Sequence, residues 1–116
     1  MRIDFFKTFE GITEFYGDVP ESFGLPTSVV ETKYYDLEEY WGSIGNEFTD
    51  GINKACGTLL DYGDVDFFDA KRCKMLVNHL RATKRPKGSS NQEFYDDLLR
   101  FAHKAIKLNT GIVVEL

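Results

Sequence analysis

The chain has 116 residues, the length of one domain, and residues 1–116 are expected to fold as a single unit. Ten Phe, six Tyr and one Trp supply enough apolar surface for a real core, so neither a disulfide nor a metal is needed to hold it together. The net charge of −5 argues against a general nucleic-acid binder. No run of eighteen apolar residues offers a membrane span, and acids interrupt the apolar N-terminal stretch where a leader would need a continuous hydrophobic region. A cytoplasmic protein is expected. Cys56 and Cys73 lack CxxC spacing and fall on apolar helical stripes, so both are read as reduced core residues.

The charge is unevenly placed. Residues 1–69 hold 15 Asp/Glu against 4 Lys/Arg, and residues 70–116 hold 4 against 10. Such asymmetry points either to a charged partner or to two ends that neutralise each other on folding, and both readings stay open at this level.

In chain order, Phe5, Phe9, Ile12 and Tyr16 recur at helical spacing and predict a helix over 3–16, with a strand at 2–6 as the competitor and Gly11 weakening the helix. Residues 17–27, rich in Gly and Pro, read as an ordered loop, and SVVETKYY at 28–35 as a short strand. Leu37, Trp41, Ile44, Phe48, Ile52, Cys56 and Leu59 form a helical stripe that Gly42, Gly45, Gly51 and Gly57 interrupt. The segment is one closely packed helix or two. Residues 61–66 read as a turn, with Asp66 capping the next helix. Cys73, Leu76, Val77 and Leu80 line that helix, Arg81, Lys84 and Arg85 occupy its negative end, and Pro86 stops it. Ser90 with Glu93 forms a capping box for a last helix whose core face is Tyr95, Leu98, Leu99, Ala102, Ala105 and Ile106. Asn109 or Gly111 ends it. The terminal IVVEL reads as a buried strand paired with 28–35. The expected fold is therefore mainly α: about four helices in a compact bundle, with a small two-stranded sheet of 28–35 against 112–116.

The sequence offers little chemistry. Asp61, Asp64, Asp66 and Asp69 cluster, yet an EF-hand loop started at Asp61 places Arg72 at its twelfth position, and one started at Asp64 places Met75 there. His79 and His103 sit on different predicted helices without ligand spacing. GxSxG, P-loop and GxGxxG motifs are absent. We expect no catalytic residue, no metal and no cofactor. The basic run Arg81, Lys84, Arg85 and Lys87 would suit phosphates, but a helix C-terminus favours cations without any ligand, so direct nucleic-acid binding is the lesser reading.

The most informative stretch is YYDLEEYW at 34–41, where aromatics alternate with acids, a chemistry that DYGD at 61–64 repeats. Aromatics concentrate at interface centres and acids attract basic partners. Tyr34, Tyr35, Asp36, Glu38, Glu39, Asp61 and Asp64 are the expected partner-binding residues, with Trp41 mostly buried.

DGINKACGTLLDYG at 50–63, FDAKRC at 68–73 and KAIKLNTGIVVEL at 104–116 resemble segments of small bacterial immunity proteins of polymorphic toxin and contact-dependent growth inhibition systems. The likeness covers about the C-terminal two-thirds and lies in apolar stripes and glycine stops. It implies a cytosolic, non-enzymatic protein that binds one cognate toxin domain and blocks it. Such toxins are frequently nucleases with basic clefts, which an acidic inhibitor would occlude. Immunity families share no single binding mode, so the resemblance assigns no residue by position.

Overall fold

A computed structural model describes the backbone throughout and the side chains of residues 1–36 and 47–116. Among the described residues the elements are β1 (Arg2–Phe6), β2 (Phe15–Tyr16), β3 (Val19–Pro20), β4 (Val30–Tyr34), α1 (Leu37–Cys56), β5 (Val65–Asp69), α2 (Ala70–Ala82), α3 (Ser89–Leu108) and β6 (Gly111–Glu115). Four strands form an antiparallel sheet in the order β4-β1-β6-β5, while β2 and β3 make a separate two-stranded hairpin.

This overturns the expectation of a mainly α bundle. The fold is mixed α/β: a four-stranded sheet with α2 and α3 packed on one face and α1 packed on those two helices. The strands expected at 28–35 and 112–116 both form, as β4 and β6, but they do not pair with each other. β1 lies between them and bonds to both. The N-terminal segment had two readings because Phe5 satisfies a period of 2 and a period of 3.6 alike. The strand wins because both of its faces find apolar cover: Ile3 and Phe5 face the helices, and Phe6 packs with Val30 and Val113 on the other side. Gly11 and Gly17, at φ of +78° and +59°, turn the chain where a helix would have continued. β5 is hidden in the sequence because VDFFD is framed by acids that read as a turn and a cap.

The helix-facing core joins Ile3, Phe5, Phe68, Ile112 and Val114 of the sheet to Leu76 and Leu80 of α2 and Phe94, Leu98 and Phe101 of α3. Phe5 stacks on Phe101 with centroids 5.7 Å apart. Over the second face, residues 7–29 form an arm that carries the hairpin, and Ile12, Val19 and Leu25 cover Phe6, Val30 and Val113. α1 is one helix despite its glycines. At Gly51, a Cβ would lie 3.1 Å from the His79 ring, so glycine lets α1 approach α2 closely. The cap of α2 is Asp69, whose carboxylate accepts from the Arg72 N–H at 2.8 Å, and not Asp66. Gly88 stands at the N-cap of α3 without a side-chain cap bond, and Asn109 closes that helix in the left-handed region at φ 53°. No described helix is long and apolar enough to cross a membrane.

Cys56 and Cys73 are buried with free thiols. Burial pushes their thiols up, Cys56 to about 11 and Cys73 to about 12. At pH 8 the folded protein should therefore react with a chromogenic disulfide reagent roughly 100-fold or more slowly than the urea-unfolded chain. Rapid labelling of the native protein would mean that the two thiols are reached without unfolding.

Candidate interaction site

Strand register places the two acidic aromatic segments at the same end of the sheet. Tyr34 of β4 stands opposite Arg2 of β1, Arg2 opposite Glu115 of β6, and Glu115 opposite Val65 of β5. Residues 34–36 therefore emerge at one edge and 61–64 at the other, three strand spacings or about 14 Å apart. Both chain termini tie this end together. The Tyr35 N–H donates to the Met1 carbonyl at 2.9 Å, Gly63 N–H donates to Leu116 O at 2.8 Å, and Leu116 N–H donates to Asp64 O at 3.0 Å.

Alternation at the end of β4 divides Tyr34 from Tyr35, the residue after the strand. Tyr34 is 74% exposed, whereas Tyr35 is 8% exposed, turned toward the helices. Its hydroxyl donates to Asp97 Oδ2 at 2.7 Å and its ring meets Phe94 edge-on at 5.1 Å. Tyr35 thus anchors the segment and is out of a partner's reach, while Asp36 is exposed beside it. Burial alone would push the Asp97 carboxyl up, but hydrogen bonds from Lys33, Tyr35 and Arg100 outweigh it and hold the group below the usual carboxylate range. Glu38, Glu39 and Trp41 lie outside the described side chains.

At the opposite edge, Asp61 and Asp64 are exposed and, with Thr49, Asp50, Asn53, Leu59 and Leu60, line an open cleft of about 490 Å³. Asn53 builds its floor: its Oδ1 accepts from Leu60 N–H at 2.7 Å and from the Thr58 hydroxyl at 2.9 Å, and its Nδ2 donates to Leu60 O at 2.8 Å. Asp66 fixes the next link by accepting from Leu59 N–H at 2.8 Å. Held this way, Leu59 is 80% exposed and Tyr62 projects beside it. Tyr62 belongs to the DYGD segment that the sequence marks, whereas Asp50 and Leu59 join the site only in the fold. In the sequence Leu59 continues the apolar helical stripe, but Gly57, at φ +67°, ends the helix first. That glycine was the available signal. Among the described residues no group of three His, Cys, Asp or Glu side chains is placed to hold a metal ion.

The halves of opposite charge do not neutralise each other. Lys33 pairs with Glu93 at 2.7 Å and Asp97 at 2.6 Å, and Arg2 pairs with Asp4 at 3.1 Å and Glu115 at 3.3 Å. Arg85 pairs with Asp96, and Arg100 reaches Asp97 at 3.2 Å. Every acid of residues 70–116 is thus engaged, together with two of the cations of residues 1–69. Among the described residues, the one pair joining an acid of the first half to a cation of the second is Asp66–Arg72, at 4.0 Å. Folding engages all four acids of the second half and two of the four cations of the first, and leaves Asp50, Asp61 and Asp64 in no ion pair among the described residues.

The basic run is divided by the same logic. Arg81 lies 3.1 Å from His103 Nε2, Arg85 is held by Asp96, and Lys84 lines a cleft with Glu47, Gly51 and His79. No family model, no curated protein and no solved structure matches the chain.

Proposed function

We propose that the chain is an immunity-type inhibitor, a cytoplasmic non-enzymatic protein that binds and neutralises one cognate toxin domain with a basic substrate cleft, of the kind nucleases carry. The observation that supports this most is the grouping of Asp50, Asp61 and Asp64 around exposed Leu59 and Tyr62 on a floor stiffened by Asn53. Exposed apolar and aromatic groups supply a centre that loses water on contact, and the surrounding carboxylates attract a basic partner and set its register. Tyr34 and Asp36 extend the face along the other edge, with Glu38 and Glu39 following in sequence. The resemblance to immunity proteins turns this general chemistry into a specific reading.

The test compares the wild type with a variant carrying Asp50→Lys, Asp61→Lys and Asp64→Lys, each tagged and purified from native cells at low and moderate salt. The wild type is expected to retain one stoichiometric partner bearing a basic domain and to inhibit that domain's activity. Charge reversal should slow association by about tenfold or more, with the difference shrinking as salt rises. Equal association by the two proteins, or a partner whose activity is untouched, would overturn the reading.

A further inference from the structure

We infer that the arm of residues 7–29 is a second docking element, separate from the cleft, that takes an arginine-bearing surface of a partner protein. The inference does not depend on the toxin reading. The arm leaves and rejoins the sheet at Phe6 and Val30, the end opposite to Tyr34 and Val65.

The arm is well anchored, so its exposed groups are not by-products of a loose segment. Lys7 N–H donates to Val29 O at 2.7 Å, closing its base, and Phe9 packs between Phe6 and Phe67 with centroids 5.9 Å from each. Ile12, Val19 and Leu25 already supply the apolar contact with the sheet. Three further aromatics stay in solvent: Phe15 is 56% exposed, Tyr16 69% and Phe23 96%. None of the three lies in the core, and aromatics left in solvent mark interaction surfaces.

The charges around them select the occupant. Glu10, Glu14, Asp18 and Glu21 are all exposed on this segment. Its one cation, Lys7, directs its ammonium to the Thr27 carbonyl at 2.7 Å. Phe15 pairs with Pro20 and Tyr16 with Val19, and Glu21 N–H continues the ladder to Glu14 O at 2.9 Å. Glu14 and Glu21 therefore face each other across the hairpin, a like-charge arrangement that costs stability until a cation sits between them. Acids repel phosphate, so nucleic acids and anionic lipid surfaces are poor occupants. Alternation puts Tyr16 on the face of Glu14 and Glu21 and Phe15 on the opposite one. A guanidinium on the first face can fork onto the two carboxylates and stack on the Tyr16 ring, which a lysine ammonium does less well.

The test is an amide-resolved NMR titration of the full chain with nona-arginine and, separately, nona-lysine peptides at about 50 mM salt, where exposed charges are weakly screened. Saturable shifts are expected over residues 14–23, with the arginine peptide bound about threefold or more tighter. A variant with Phe15→Ser, Tyr16→Ser and Phe23→Ser should bind roughly tenfold more weakly at the arm and unfold at an unchanged temperature. Phe23→Ser alone, at the most exposed of the three positions, should already weaken binding severalfold. A variant with Asp50→Asn, Asp61→Asn and Asp64→Asn should lose shifts at 59–64 and keep those at 14–23, which separates this inference from the cleft reading. Shifts confined to 59–64, equal affinity for the two peptides, or undiminished binding by the aromatic variant would overturn the inference. So would a sedimenting dimer that the aromatic substitutions dissociate, since the arm's occupant would then be a second copy of the chain.

Discussion

Gly111→Ala is expected to destabilise the protein by about 2–3 kcal/mol, although a single methyl is added and the backbone there is ordinary. Gly111 opens β6, the central strand bonded to both β1 and β5, opposite Phe6 on one side and Asp69 on the other. A Cβ would stand 2.5 Å from the Phe68 carbonyl oxygen and 2.6 Å from the Phe67 ring. The ring can turn away, but the carbonyl belongs to the backbone of β5, and displacing it strains the ladder that joins the two strands. Overpacking of this kind costs about 1–3 kcal/mol, and a disturbed ladder bond adds about 1 kcal/mol. Intrinsic propensity pushes the other way, since Ala in a strand is favoured over Gly by roughly 0.5–1 kcal/mol. The sign of the change is therefore diagnostic. Urea unfolding followed by circular dichroism should show a lower midpoint with an unchanged slope. A stabilised variant would mean that β5 yields at Phe68 without cost.

That glycine also shows where sequence reading stops. By sequence Gly111 suits a helix stop as well as Asn109 does, but Asn109 performs that role at φ 53°, and what Gly111 meets is set by β5, a strand the sequence disguises. The stripes that survive are those whose neighbours agree with them: Cys73, Leu76, Val77 and Leu80 on α2, and Leu98, Ala102 and Ala105 on α3, are all buried as their 3.6 period requires. The N-terminus failed for the opposite reason. Phe9, Ile12 and Tyr16 fit a helical period by coincidence, while the pairing that captures β1 is long-range: Arg2 pairs with Tyr34, 32 residues on (34 − 2), and with Glu115, 113 residues on (115 − 2). With β1 misplaced, β4 and β6 had only each other to pair with, and the sheet was undercounted.

The candidate site follows the same division. Asp61, Asp64, Tyr34 and Asp36 were legible as chemistry, and their meeting at one sheet end was not, because register alone creates it. Leu59 and Asp50 enter through the helix stop at Gly57 and the fold-back that Asn53 stabilises. Phe15 and Phe23 stayed invisible because local pattern does not distinguish an aromatic held outward from one turned inward. The charge asymmetry was visible from the start, but its meaning came from the ion pairs: Lys33 and Arg2 are drawn to acids of the other half, so the acidic surplus stays on the surface.

The second large effect is expected at Asp97, which the sequence placed on no site. Asp97→Ala removes the acceptor for Lys33 Nζ, the Tyr35 hydroxyl and Arg100 in one step. Breaking a buried, hydrogen-bonded charge cluster costs about 3–5 kcal/mol, but Lys33 is about a third exposed, so solvent screening reduces the expected loss to about 2–3 kcal/mol. The pH dependence follows from the two directions. Asp97 lies below the usual carboxylate range, so its contribution is complete above the unfolded value, near 3.9, and is lost as pH falls through the folded one. Hydrogen bonds from Lys33 to Asp97 and Glu93 raise the lysine above 10.5, so its share is complete below that value and is lost as pH rises through the raised one. The stability difference between wild type and variant should thus be flat from about pH 5 to 10 and shrink toward pH 3. A difference that persists undiminished in acid would assign the effect to packing instead. Tyr35→Phe carries the argument to the site without altering charge. It removes the bond that holds β4 to α3 between exposed Tyr34 and exposed Asp36, at a cost of about 1 kcal/mol. Amide exchange at 34–36 should quicken in that variant while 61–64 keeps its protection. Unchanged exchange at 34–36 would show that the Met1–Tyr35 backbone pairing positions this edge of the face by itself.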